Sequence, residues 1–123
     1  MKEESKKWLE QAEADIRTDE YSLISNDYYA SAFWSQQAIE KSLKAEIIKE
    51  KGELIKVHDL IILSRLAKIP KELLNKIREF SGIYTETRYG ITGIGIPATK
   101  FKIKDTLELL NISKEVLKWT KKI

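Results

Sequence analysis

The stretch Tyr28–Lys51, YYASAFWSQQAIEKSLKAEIIKEK, constrains the fold more than any other part of the chain. It contains neither Gly nor Pro and repeats on a helical period. At about 100° per residue, Tyr29, Phe33, Gln37, Glu40, Lys44 and Ile47 share one stripe, flanked by Ala32, Gln36, Leu43 and Ile48. The ends of the stripe are apolar, so it should face a core or a partner. Its middle is Gln37, Glu40 and Lys44. Buried amides and charges are costly unless each finds a partner. Two readings follow. Glu40 and Lys44 form a modest i,i+4 pair at the edge of a core, worth about 0.3–0.5 kcal/mol. Alternatively, the three polar residues serve a binding surface or a subunit contact, and an exposed charge such as Glu46 is then the natural comparison.

A helix of this length reaches about 36 Å, so the chain should be built along it. The 123 residues suffice for one domain with one core. With 42% hydrophobic and 33% charged residues, five Gly and two Pro, the composition suits a helical domain and argues against disorder. The absence of Cys excludes a disulfide framework and thiolate chemistry. No apolar run approaches a membrane span, and the charged start MKEESKKWLEQAEAD has no signal-peptide core. The expectation is a cytoplasmic protein without membrane contact. A net charge of +3 permits a nucleic-acid partner without requiring one, because 19 acidic residues are interspersed with 22 basic ones. The Lys- and Ile-rich, Cys-free composition leans toward a thermophile.

The rest of the chain reads as helices of the same kind. Helix one should run from about Glu3 to Ser25, with Trp8, Ala12, Ile16 and Leu23 near helical spacing and Asp15 and Asp19 close to the same face. Ser25-Asn26-Asp27 supplies turn and cap chemistry, and the short connection makes helices one and two antiparallel neighbours. Gly52 ends helix two. After a loop over Glu53–Val57, His58-Asp59 opens a short third helix with Leu60, Ile61, Leu63 and Leu66 as its apolar positions. Pro70 begins a fourth, carrying Leu73, Leu74, Ile77 and Phe80, with Ile83 and Tyr84 as its extension toward Arg88-Tyr89. Gly90–Thr99, GITGIGIPAT, reads as a loop and not as a dinucleotide fingerprint, because no strand–turn–helix unit surrounds it. Lys100–Lys104 is an extended lead-in to a last helix over about Lys104–Lys121, whose core face is Leu107, Leu110, Val116 and Leu117, with Ile112 and Trp119 nearby. The fold class is all-α, an up-and-down bundle of four to five helices spanning residues 1–123 as one domain.

These residues also resemble a known family. The run Gln36, Gln37, Ala38, Glu40, Lys41, Lys44, Ala45 on a long second helix, then His58-Asp59-Leu60 at the next, then Arg88-Tyr89, together with Trp8, Ala12 and Asp15, is similar to the HEPN domain (higher eukaryotes and prokaryotes nucleotide-binding). The resemblance covers nearly the whole chain. It implies a helical bundle, usually a homodimer, often paired with a minimal nucleotidyltransferase in two-component or toxin–antitoxin systems. Many members are metal-independent ribonucleases marked by an Arg followed a few residues later by a His. Here the sequence departs from the family. No His follows Arg88, and the only His, His58, lies well upstream. The ribonuclease motif is absent, so that activity does not carry over.

Each candidate has a plain structural alternative. His58 is either a general base or phosphate ligand, or part of a helix cap with Asp59. Arg88-Tyr89 offers a guanidinium fork and a stacking ring, or else a helix-end tie and a packed ring. Lys41 falls about 80–100° off the polar stripe and reads as solvated. Lys100, Lys102 and Lys104 form a phosphate-attracting patch or a solvated face. One His and no Cys make no metal site, and no cofactor is implied. The reading therefore leans away from an enzyme. It favours a non-catalytic HEPN protein, expected as a homodimer, that binds a nucleotide, RNA or a partner nucleotidyltransferase through Gln37, Glu40, Lys44, His58, Arg88 and Tyr89. The alternatives are a ribonuclease using Arg88 with His58, and a structural dimerisation module.

Overall fold

Every described element is a helix, and the second helix is the axis around which the others pack. The computed structural model describes residues 2–80 and 102–122. Within them run α1 (Lys2–Ile24), α2 (Tyr28–Lys51), α3 (Leu60–Ala67), α4 (Lys71–Glu79) and α5 (Ile103–Thr120). No strand occurs among the described residues. No described helix is long and apolar enough to cross a membrane. The expectations for Ile83, Tyr84, Arg88-Tyr89, the Gly90–Thr99 loop and Lys100 fall outside the described residues.

Local chemistry sets the helix ends. Asp27 caps α2 by accepting from the Ala30 N–H at 3.2 Å, and Gly52 closes it in the left-handed region at φ 76°. Asp59 Oδ1 accepts from the N–H groups of Ile61 and Ile62 at 2.9 and 3.0 Å, so α3 starts at Leu60. His58 stands outside the helix, one residue before the cap. Pro70 occupies the cap position of α4 with ψ 142°, one residue before the first helical residue expected of it. The expected extended lead-in to α5 ends at Lys102, and Ile103 and Lys104 are already helical.

Two sides of α2 carry two kinds of packing. Ser31, Ser35, Ala38, Ser42 and Ala45 form a stripe of small side chains, all nearly solvent-free. Their alternating spacing of four and three places them on one seam, and small residues there let α1 approach closely. Ser5 Oγ donates to the Ala45 carbonyl at 2.9 Å across that seam. Further round the helix, Ile39, Leu43 and Ile47 are fully buried against Leu63, Ile77, Leu109 and Val116. Each such side chain contributes about 1.5–3 kcal/mol through burial. A second, smaller cluster joins Ile16, Ala38 and Leu110, with Leu23 and Leu117 packed against it only in part. α2 is thus buried nearly all round and not along one stripe. Leu107, expected in the core, is 42% exposed, because the inward face of α5 is set by Leu109, Ile112 and Val116.

Candidate functional site

Glu40 is the centre of the polar cluster. It sits on α2 about 180° from the small-residue stripe and is nearly inaccessible. Its Oε2 accepts from Lys44 Nζ at 3.0 Å, one helical turn on, and contacts His58 Nδ1 at 2.7 Å. The Lys44 ammonium, equally buried, also lies 5.6 Å from the centre of the Trp8 ring, near the outer limit of a cation–π contact. His58 arrives from the connection between α2 and α3, where Asp59 fixes the start of α3. The two neighbours divide the work: Asp59 caps, His58 binds the carboxylate. The His58 side chain remains half-exposed, so the cluster runs from the interior of α2 to the surface. A carboxylate on Nδ1 selects the protonated Nδ1 tautomer and orients the ring.

Of the expected site residues, Glu40, Lys44 and His58 are therefore brought together. Gln37 is half-buried on the same side of α2. Arg88 and Tyr89 lie outside the described residues. Lys102 and Lys104 are exposed at the start of α5. No group of three or more His, Cys, Asp or Glu is placed to hold a metal ion among the described residues.

Two charges behave differently from expectation. Lys41 is not solvated: it pairs with the buried carboxylate of Asp15, which also accepts from Gln11 Nε2 at 2.9 Å. Glu46, the supposed exposed comparison, is 4% exposed and lies between Lys49 and Lys122 at 3.1 and 3.0 Å. The exposed α2 carboxylate is Glu50.

Sequence reading did not single out a second carboxylate cluster, on the α1 side of α2. Asp19 is fully buried and accepts hydrogen bonds from the hydroxyls of Ser31 and Ser35. Burial pushes its carboxyl up to about 6 from an ordinary 3.8, against the lowering effect of the two hydroxyls. Glu20 adds to the rise and Lys114 opposes it. The available signal was the i,i+4 placement of Asp15 and Asp19 on the apolar face of α1, facing a seam of small hydroxyl-bearing residues.

Comparison with known proteins bears on the family and the fold. The family model of the HEPN domain matches residues 5–123. The crystal structure of TT1696 from Thermus thermophilus superposes with a TM-score of 0.83 at 27% identity, covering 95% of each chain. That of ST0689, an archaeal HEPN homologue, gives a TM-score of 0.79 at 27% identity, covering 95% of this chain and 94% of the other. A comparison with curated proteins returned no match. The family match over nearly the whole length and the shared all-helical fold agree: the chain belongs to the HEPN domain family.

Proposed function

We propose that this protein is a non-catalytic HEPN protein of the cytoplasm, a homodimer that binds a nucleotide or a partner minimal nucleotidyltransferase in a two-component or toxin–antitoxin-like pair. The site is the surface around Gln37, Glu40, Lys44 and His58, with Arg88 and Tyr89 as further contributors. The observation that carries this reading is the shared oxygen of Glu40, which ties a buried ammonium to a half-exposed imidazole. Such a linked set is rigid, and its outer member reaches solvent, as a recognition surface requires. Calorimetry with nucleoside triphosphates and co-purification from the native source test it. Glu40→Leu should weaken binding at least about tenfold, and Glu50→Leu should leave it unchanged. Equal effects, or no ligand and no partner, would leave a dimerisation module as the function.

One contact favours a second reading. A carboxylate-oriented imidazole is the arrangement by which a histidine is held as a general base. In a metal-independent ribonuclease, His58 would take the 2′-hydroxyl proton and Arg88 would stabilise the charge on phosphorus. Cleavage of an RNA panel in EDTA that disappears in His58→Ala would replace the binding reading with this one.

A further inference from the structure

Away from the Glu40 cluster, α1 and α5 both pack on α2 but leave a groove between them. Its floor is aliphatic: Ile16 and Leu9 of α1 and Leu117 of α5. It has two lobes of about 450 and 440 Å³, both lined by Lys121 and Lys122, so they adjoin. Ile16 is buried in the smaller core cluster, and Leu117 packs against that cluster. Lysines ring the opening, with Lys114 and Lys118 beside one lobe and Lys6 and Lys49 beside the other.

Lys49 and Lys122 are held by the buried Glu46 at 3.1 and 3.0 Å, but the other charges on this rim are loosely committed. Lys114 pairs with Glu20 at 2.9 Å and Lys121 with Glu13 at 3.0 Å, across the mouth from α5 to α1. These pairs are roughly half-exposed, and such pairs are weak and exchangeable. Among the described residues, Lys118 has no carboxylate partner. We propose that the groove between α1 and α5 is a docking site for a short acidic amphipathic helix of a partner protein.

Shape and charge favour this occupant over others. An apolar floor with a cationic rim is the complement of a helix that is apolar on one stripe and acidic on its flanks. Lys114 to Thr120 spans about 9 Å along α5, with Lys121 and Lys122 following directly, room for about two turns laid beside α1 and α5. RNA would be drawn by the lysines, but the floor offers aliphatic side chains and no free ring on which bases stack. The nearby Trp119 ring is already covered by Lys122 at 3.8 Å. A second copy is disfavoured as well, since a two-fold contact sets the same patch against itself and brings lysines toward lysines.

The test is selection of helical peptides from a displayed random library on the full chain, followed by affinity and NMR measurements. Enriched sequences should carry apolar residues at i, i+3 or i+4 and i+7, flanked by Glu and Asp. Their binding should shift the methyl resonances of Ile16 and Leu117. It should weaken at least about tenfold in Leu117→Asp and in the double variant Lys114→Glu/Lys118→Glu. The double variant changes only exposed side chains, so it separates loss of docking from loss of folding. Four outcomes would each overturn the proposal: no enrichment; enriched peptides without acidic bias; displacement of the peptides by an RNA oligonucleotide with the same resonances shifted; or a concentration-dependent rise in mass that the double variant abolishes.

Discussion

Two carboxylate clusters sit on roughly opposite faces of α2, and they are built from similar chemistry. Asp15 with Lys41 and Asp19 with Ser31 and Ser35 lie in the α1 seam, where small side chains close the helices together. Glu40 with Lys44 and His58 lies on the other face, where the chain returns from α2 to α3. Both bury a carboxylate and both give it a lysine. The difference is access. Asp15 and Asp19 are 1% and 0% exposed and are enclosed by helix, whereas the Glu40 cluster reaches solvent through His58. Burial of charge is a cost to folding in either place. The closed cluster meets solvent through Gln11 and part of Lys41, whereas the open one presents a half-exposed imidazole in contact with its buried carboxylate, so the closed one should govern stability and the open one recognition.

The largest expected effect lies in the closed cluster. Lys41→Met keeps the length of the side chain and removes the cation, leaving Asp15 buried with Gln11 as its described partner. Removing one member of a buried pair costs about 3–5 kcal/mol; because Lys41 is 19% exposed, the lower end is expected. Urea denaturation measures it. A loss below about 1 kcal/mol would mean that Asp15 is effectively hydrated, and the contrast between the clusters would weaken.

Asp19 sharpens the same contrast through pH. Its folded-state carboxyl is raised to about 6 against 3.8. Between about pH 4 and 6 the native state therefore holds a proton that the unfolded chain has released. The penalty from this group is complete above pH 6 and shrinks as pH falls toward 4. A rise of that size corresponds to about 3 kcal/mol. Every ionisable group contributes to the stability of the whole protein, so the informative quantity is the difference between the protein and Asp19→Asn. The variant should be more stable than the parent at pH 8, by about 1–3 kcal/mol, with the gap shrinking to about a third of that by pH 4.5. A constant gap across this range would show that burial does not control the charge of Asp19.

How much of this was legible in the sequence varies with the range of the interaction. The bounds of α2 could be read directly, because Asp27 and Gly52 act on their own neighbours and the run between them has no breaker. The resemblance to HEPN domains rested on linear order and spacing, which the family match over residues 5–123 bears out. Environments set by other helices were not legible. Lys41 looked solvated because its carboxylate partner lies on α1, and Glu46 looked exposed because Lys122 comes from the far end of the chain. Leu107 looked like core because periodicity gives a face without its exact centre. For the site, the i,i+4 pair of Glu40 and Lys44 was a local inference. The contact of His58 with Glu40 was not, since it depends on how the loop folds back.

The smallest expected effect is the one that most directly separates the clusters. His58→Ala removes a half-exposed ring whose Nδ1 meets Glu40 at 2.7 Å. Glu40 keeps Lys44 as a partner at 3.0 Å, so the carboxylate is not stranded, and the exposed ring contributes little packing. The variant should lose less than about 1 kcal/mol in urea denaturation while ligand or partner binding falls. A stability loss matching that of Lys41→Met would place His58 with the closed cluster as a structural strut. The face around Glu40 would then have no more claim to recognition than the α1 seam.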